Sequence, residues 1–256
     1  MEFEMVGGLD TTNLVISCGL ILVLMVISRV RHILNETGIG AAAVLGLGVA
    51  IGGHWTWLVI LLSFLGGGFA ATRWRYEEKR ENGFHEGDEG ERGWTNVVAN
   101  GGVPLIIAIW AIVMQDWEGL FPVFAAAVAV AASDTFASEF GTLDDRVYMI
   151  TTMKKCEPGV NGGFSPNGQL AAFSGSLFIA LIATGLGLLV GANALDNSPL
   201  EFILSITIIG FIGCQIDSLL GALLENRGYI GKGTVNLLAI ASGAIIAFFL
   251  HPLIPL

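Results

Sequence analysis

The feature that most constrains this chain is a succession of apolar stretches, each long enough to cross a bilayer. About 17–25 predominantly apolar residues in helical form span the hydrocarbon of a membrane. Eight such segments run at roughly 12–30, 38–53, 55–72, 96–114, 119–139, 168–192, 200–224 and 233–251. The second and third are short and parted only by His54, so they read either as a tight hairpin or as one broken element. A helix is the expected form of each span, because it satisfies its own backbone hydrogen bonds where no water is available. Composition agrees: of 256 residues, 54% are hydrophobic and 13% are charged, against about 25% charged in a soluble domain. The 35 glycines suit helices whose backbones approach closely in lipid. The expected fold is all-α, one polytopic membrane bundle of about eight helices over residues 1–256.

Charge orients that bundle. With eight spans and the N-terminus outside, the cytoplasmic connections are 29–37, 73–95, 140–167 and 225–232, and all 12 Lys and Arg residues fall in or beside them. That asymmetry is the positive-inside pattern. The opposite loops, including 115–119 and 192–199, are acidic or neutral. The connection 73–95, RWRYEEKRENGFHEGDEGERGWT, mixes both signs and reads as a solvated connector. The first ten residues, MEFEMVGGLD, are acidic and precede a run long enough to span, so no cleavable signal peptide is expected. Trp55, Trp57, Trp74, Trp94 and Trp117 fall near the expected interfaces.

Several chemistries are poorly served. A formal charge of −10 argues against nucleic-acid binding, which needs a basic footprint. Cys18, Cys156 and Cys214 lie far apart, with no metal-binding spacing or disulfide framework, and read as structural. His32, His54, His85 and His251 are scattered over both membrane faces and form no ligand set. No Ser–His–Asp or Cys–His arrangement respects the topology.

Ionisable residues in or at the ends of spans are costly and mark functional candidates. The fifth span ends AVAVAASDTFASEFGTLDDR, where Asp134 and Ser138 share a helical face and Glu139 adjoins them. The seventh ends GCQIDSLLGALLENRG, with Asp217, Gly221 and Glu225 along one stripe and Ser218 beside them. Two membrane-embedded aspartates facing one cavity make a natural Mg²⁺ site, since Mg²⁺ takes one or two carboxylates plus substrate phosphates. Alternatively each Asp only hydrogen-bonds a neighbouring helix. The connection TTMKKCEPGVNGGFSPNGQ combines Lys154 and Lys155 with Gly159, Asn161, Gly162, Gly163, Ser165, Asn167 and Gly168. Glycines let successive N–H groups turn toward an anion, and the connection opens a helix whose N-terminus favours phosphate. It is not a Walker A pattern, and an ordinary flexible loop would also explain it. Asn96, Asn100, Arg227, Lys232 and Asn236 add polar groups at the same depth, though asparagines at helix starts also serve as caps.

The motifs ANGGVPL (99–105), SDTFASEFG (133–141), TTMKKCEPGVNGGFSPNG (151–168) and IDSLLGALLENRG (216–228), followed by VNLL (235–238), resemble the transmembrane protein 19 family, which includes plant plastid phytyl-phosphate kinases. The resemblance runs through most of residues 92–250, the family-like catalytic core, with the four motifs in the family's order. It departs from the family pattern at Phe136, where tryptophan is usual, and at Asn161, where threonine is usual. What the resemblance implies is an isoprenyl-phosphate kinase taking its phosphoryl group from CTP or ATP. A looser similarity to CTP-using dolichol kinases and CDP-diacylglycerol synthases makes CTP the donor by analogy.

On that reading Asp134 and Asp217, with Glu139 or Glu225, hold Mg²⁺ against the donor phosphates, and Lys154, Lys155 and the 159–168 backbone cradle them. Arg146, Arg227 or Lys232 neutralises developing charge, and Asn100, Ser138, Ser218 and Asn236 complete the nucleotide and substrate contacts. The partners implied are an isoprenoid lipid phosphate, a nucleoside triphosphate and the bilayer; a homodimer is compatible with such a chain but not specified by it. Two other readings use the same residues: a cytidylyltransferase making a CDP-lipid, which would release pyrophosphate, and a transporter, which would show inverted repeats and polar groups near the midplane.

Overall fold

A computed structural model describes residues 5–84, 90–192 and 198–250. His85, His251 and the expected loop residues 193–197 lie outside the described residues. The helices are α1 (Thr11–Arg31), α2 (Glu36–Gly52), α3 (Trp55–Arg73), α4 (Tyr76–Glu81), α5 (Trp94–Met114), α6 (Trp117–Gly141), α7 (Pro166–Val190), α8 (Pro199–Leu220) and α9 (Lys232–Leu250). A π-helical turn, Gly221–Glu225, continues α8, and a short antiparallel hairpin of β1 (Tyr148–Met149) and β2 (Gly163–Phe164) lies between α6 and α7. Among the described residues, seven helices are long and apolar enough to cross a membrane; α2 is a shorter apolar helix of 17 residues. The chain is thus an all-α polytopic membrane bundle. The ambiguity at His54 resolves into two helices: Asn35 caps α2 by accepting the Gly38 N–H, and His54 accepts from the Thr56 N–H to start α3.

The bundle is built around α6. Its middle, LFPVFAAAVAVAAS, is buried without interruption from Leu120 to Ser133, as expected of a helix that is apolar all round. Helices α3, α5, α7, α8 and α9 pack about it. The alanines admit close neighbours: a Cβ at Gly175 of α7 would fall 2.6 Å from the Ala132 carbonyl oxygen, and Gly213 of α8 and Gly243 of α9 both abut Val130. Such small-residue contacts let backbones meet where lipid supplies no hydrophobic drive between helices. They hold α6 and α8, which run in the same direction, with their last turns at one level.

The bundle's two ends differ. At the end where α1 starts, Asn13 Nδ2 donates to the carbonyls of Gly8 (2.8 Å) and Ala50 (2.9 Å), and the Trp117 indole donates to Gly52 O (2.9 Å). At the other end lie the connections α1–α2, α3–α5, α6–α7 and α8–α9, which carry or adjoin all 12 Lys and Arg residues. There the Arg92 N–H donates to Ile33 O (3.1 Å), and the Asn35 N–H to Arg92 O (3.2 Å), tying the first connection to the second.

Of the described residues of the segment 73–95, many are exposed, as its mixed charge suggests, but two of its cations turn inward. Within it, α4 turns Lys79 inward until its side chain is 1% exposed, with Nζ bonded to Glu139 Oε2 (2.6 Å) and Ala71 O (2.9 Å). Arg92 is also buried and donates to Thr72 Oγ1 (3.3 Å). A buried ammonium is tolerated only when paired and hydrogen-bonded, and Glu139 supplies that partner from the end of α6.

Candidate active site

Asp134 near the end of α6 and Asp217 near the end of α8 line one cavity of about 350 Å³. The parallel course of the two helices puts them at the same depth, on the wall of the same cavity. Asp217 Oδ2 is buried without a hydrogen-bond partner. Two adjacent carboxylates repel unless a proton or cation lies between them, and a buried oxygen without a partner calls for the same explanation. No cluster of three His, Cys, Asp or Glu residues suited to a metal occurs among the described residues. The donor set is two carboxylates. That fits Mg²⁺, which completes its shell with water and substrate phosphates.

The segment after α6 forms the roof. The β1–β2 pairing of Tyr148 with Phe164 and Met149 with Gly163 folds the chain back, and the Ile150 N–H donates to Gly162 O (2.9 Å). This lays Asn161–Gly163 on the π-helical turn of α8. A Cβ at Gly162 would meet Ala222 and come within 2.8 Å of Ser218 O, and the residue's φ of +80° is one that glycine adopts without strain. The Asn226 side chain fastens the contact by donating to Asn161 O (2.9 Å). The turn itself closes with the Asn226 N–H on Gly221 O, five residues back (3.1 Å), and so opens the regular stripe on which Glu225 is expected. Glu225 still reaches the cavity wall.

From the roof the chain enters α7 with Ser165 as cap, its Oγ accepting the Gly168 N–H (3.1 Å). Asp144 steadies this start, accepting from the Asn167 N–H (3.1 Å) and from Arg146 Nε (2.9 Å). The hydrogen bonds from Arg146 hold the Asp144 carboxyl down to about 2.

Of the residues expected to form the site, Asp134, Ser138, Asn161, Gly162, Gly163, Ser165, Gly168, Asp217, Ser218, Glu225, Lys232 and Asn236 line this cavity, with Gly159 at its edge. Others are placed elsewhere. Lys154 and Lys155 are exposed near the hairpin's turn, where Tyr148 bridges to Lys155, and neither lines the cavity. Arg146 is drawn away by Asp144, and Asn167 contributes its backbone to that pair while its side chain stays exposed. Arg227 is exposed beyond the π-helical turn. Asn100 donates to Asn96 O (2.9 Å) and lines a separate apolar cleft. Glu139 borders the cavity, but both its oxygens are committed, one to Lys79 and one to Thr72 (2.6 Å each), so it is an anchor rather than a metal ligand.

Thr72, Lys79 and Arg92 are the partners that sequence reasoning missed. Their signal was faint: charges in a mixed segment look alike whether they face water or a buried carboxylate. Cys214, read as structural, is buried in the wall beside Asp217. Lys232 is the cation that lines the cavity.

Comparison with known proteins gives a consistent setting. The profile of the family described as integral membrane protein DUF92 matches residues 19–245. An uncharacterized membrane protein of Methanocaldococcus jannaschii is 31% identical over 240 residues, covering 93% of this chain and 94% of that protein. One from Synechocystis is 29% identical, covering 85% and 82%. Protein VTE6, chloroplastic, of Arabidopsis thaliana is 27% identical over 234 residues, covering 86% of this chain and 66% of its own length. No solved structure matches.

Proposed function

This chain belongs to the DUF92 family of integral membrane proteins, and from that premise we propose that it is a phosphotransferase converting an isoprenyl monophosphate to the diphosphate, with CTP or ATP as donor. The observation that carries the reading is the pair Asp134 and Asp217, on separate helices, facing one cavity beneath a glycine-bearing loop, with Asp217 Oδ2 lacking a partner. The relation to the chloroplast protein VTE6, with the motif resemblance to plastid phytyl-phosphate kinases, supports the substrate class. The concentration of cations at the same end of the bundle supports its facing the cytoplasm.

Asp134 and Asp217 would hold Mg²⁺, which when bound supplies positive charge against the donor phosphates. Ser165, Gly162 and Gly163 offer the cavity a helix start and adjacent backbone, a favourable surface for phosphate oxygens. Lys232 supplies the side-chain cation expected earlier of Lys154 and Lys155. The acceptor's phosphate oxygen attacks the donor γ-phosphorus in line, the β–γ bridging bond breaks, and a nucleoside diphosphate leaves. An ionised phosphate monoester is already a nucleophile, so positioning and electrostatics supply the catalysis without a strong general base.

The test is to incubate the purified protein with γ-labelled CTP or ATP, Mg²⁺, and phytyl, geranylgeranyl or farnesyl monophosphate. Label transferred to a prenyl diphosphate is expected. A CDP-lipid with release of pyrophosphate would assign a cytidylyltransferase, and the absence of any product with every acceptor and donor would refute the proposal.

A further inference from the structure

Two further cavities lie beside the aspartate site, and shared walls connect all three. The first, about 620 Å³, shares Lys232 and Asn236 with the aspartate cavity and is also bounded by Arg92, Thr95 and Asn96. The second, about 80 Å³, is a narrow cleft reached past Arg92 and Asn96, which it shares with the 620 Å³ cavity. Its walls are almost wholly apolar, formed by Leu20 and Leu24 of α1, Leu45 of α2, Leu61 and Leu65 of α3, and Val97 of α5. Polarity therefore falls stepwise from paired carboxylates, through a chamber carrying two cations, to a hydrocarbon-lined slot.

We propose that this slot and chamber are the acceptor site, taking a single-chain lipid monophosphate with its phosphate in the chamber and the first part of its chain in the slot. The assignment rests on the phosphotransferase reading and specifies where its lipid lies. Charge complementarity fixes the headgroup: Arg92, just before α5, and Lys232, at the start of α9, both border the chamber with positive charge, and Asn96 and Asn236 add amide donors. Glu91 also borders the chamber, but His32 Nδ1 engages it at 2.8 Å.

The apolar walls fix the tail, and the narrow bore selects one chain over two. The remainder of that chain leaves by the flank of α1, an edge helix packed on α2 and α3 whose Val15, Val23 and Val26 are exposed to lipid. The chamber adjoins the aspartate cavity through Lys232 and Asn236, so the acceptor oxygen approaches the donor phosphates from the side away from the 159–168 roof. The site also gives a role to α1 and α2, which lie before the resembling motifs: they are two of the walls that hold the tail.

Two measurements on the full-length protein test this. Photolabelling with a diazirine-bearing geranylgeranyl phosphate, without nucleotide, should mark peptides from α1, α2, α3 and the start of α5, and excess unlabelled geranylgeranyl phosphate should displace it. Label on other helices, or label that does not compete, overturns the assignment. Second, Ala42→Phe places an aromatic ring in the cleft wall and should raise KM for geranylgeranyl phosphate at least ten-fold. The kcat, and the KM for a five-carbon prenyl phosphate too short to fill the slot, should not change. Equal effects on both acceptors, or no effect on either, overturn it. If the wild-type protein phosphorylates neither acceptor, the phosphotransferase reading fails while photolabelling still decides the site.

Discussion

At the end of the bundle that holds Asn13, polar groups close upon one another. The Asn13 amide reaches the carbonyls of Gly8 and Ala50, Trp117 reaches Gly52, and His54 Nδ1 meets Thr56 Oγ1 at 2.8 Å. At the other end the polar groups are arranged differently. Asp134 and Asp217 line one cavity, Asp217 Oδ2 is left without a partner, and cavities lie between the helix ends. Burying polar groups costs free energy at both ends, and single buried atoms without a partner occur at both, Asn13 Oδ1 at the first and Asp217 Oδ2 at the second; only the second brings two carboxyl groups onto one cavity. A fold retains such an imbalance when a ligand completes it, which is why the open end is the one to read as functional.

The sharpest way to break that comparison is to neutralise the open end. Asp217→Asn or Asp134→Asn should lower phosphoryl transfer by about 10³-fold, on the scale of losing one preorganised electrostatic group. Thermal stability in detergent should hold or rise, since a like-charge pair is removed. Initial rates and unfolding curves on the same preparations check this, and a variant that keeps its rate but unfolds early would make the pair structural.

Within the open end, Glu139 should behave in the opposite way. Glu139→Ala leaves Lys79 buried without a counter-charge, which costs about 3–5 kcal/mol and should appear as a large drop in the unfolding transition. The double variant with Lys79→Met should recover much of that loss, because no buried charge then remains. Recovery separates an anchoring ion pair from a ligand to a cation, for which the second substitution would restore nothing.

The closed end responds more mildly. Asn13→Leu deprives the Gly8 and Ala50 carbonyls of their donor and should cost about 1–3 kcal/mol, with the transfer rate of the folded protein unchanged. A rate loss there would show that the two ends are coupled.

How much of this could be read from the chain follows from the kind of signal each part carries. The spans were legible because hydrocarbon thickness sets a length and a composition that few other structures require. Asp134 and Asp217 were legible because a carboxylate inside an apolar run is rare and has to be explained. The loop residues were only half legible. Gly162 and Gly163 reach the cavity, whereas Lys154 and Lys155, two residues that look well suited to phosphate, are exposed and do not line it. The hairpin register decides this, and two-residue strands leave almost no periodicity to read. Glu139 was misjudged for a related reason: its partner Lys79 comes from a segment whose alternating charges give no hint of which one turns inward. Three-dimensional pairing between distant charges is not written in local pattern, so the sequence pointed to the cavity's floor more reliably than to its rim.

The finest probe concerns the rim at the start of α7. Asp144 accepts hydrogen bonds from Arg146 and from the Asn167 N–H, and the Arg146 contact lowers its carboxyl from an ordinary 3.8 to about 2. A depressed carboxyl stabilises the fold above its unfolded value and loses that contribution as pH falls through its folded value. The stabilisation from Asp144 is therefore complete above 3.8 and disappears toward about 2. Asp144→Ala should remove it at every pH, giving a smaller loss than either preceding stability variant and a flatter acid limb in unfolding temperature than the wild type. That hydrogen-bonded link ties the chain beside Val147 and Gly168, which line the aspartate cavity, whereas Asn13 lies at the far end. The Ala variant should accordingly weaken nucleotide binding modestly, read as a raised KM at constant kcat, and Asn13→Leu should not. An unchanged KM in Asp144→Ala would mean that the roof keeps its shape without this clasp, and that the hairpin seated on the π-helical turn suffices to hold it.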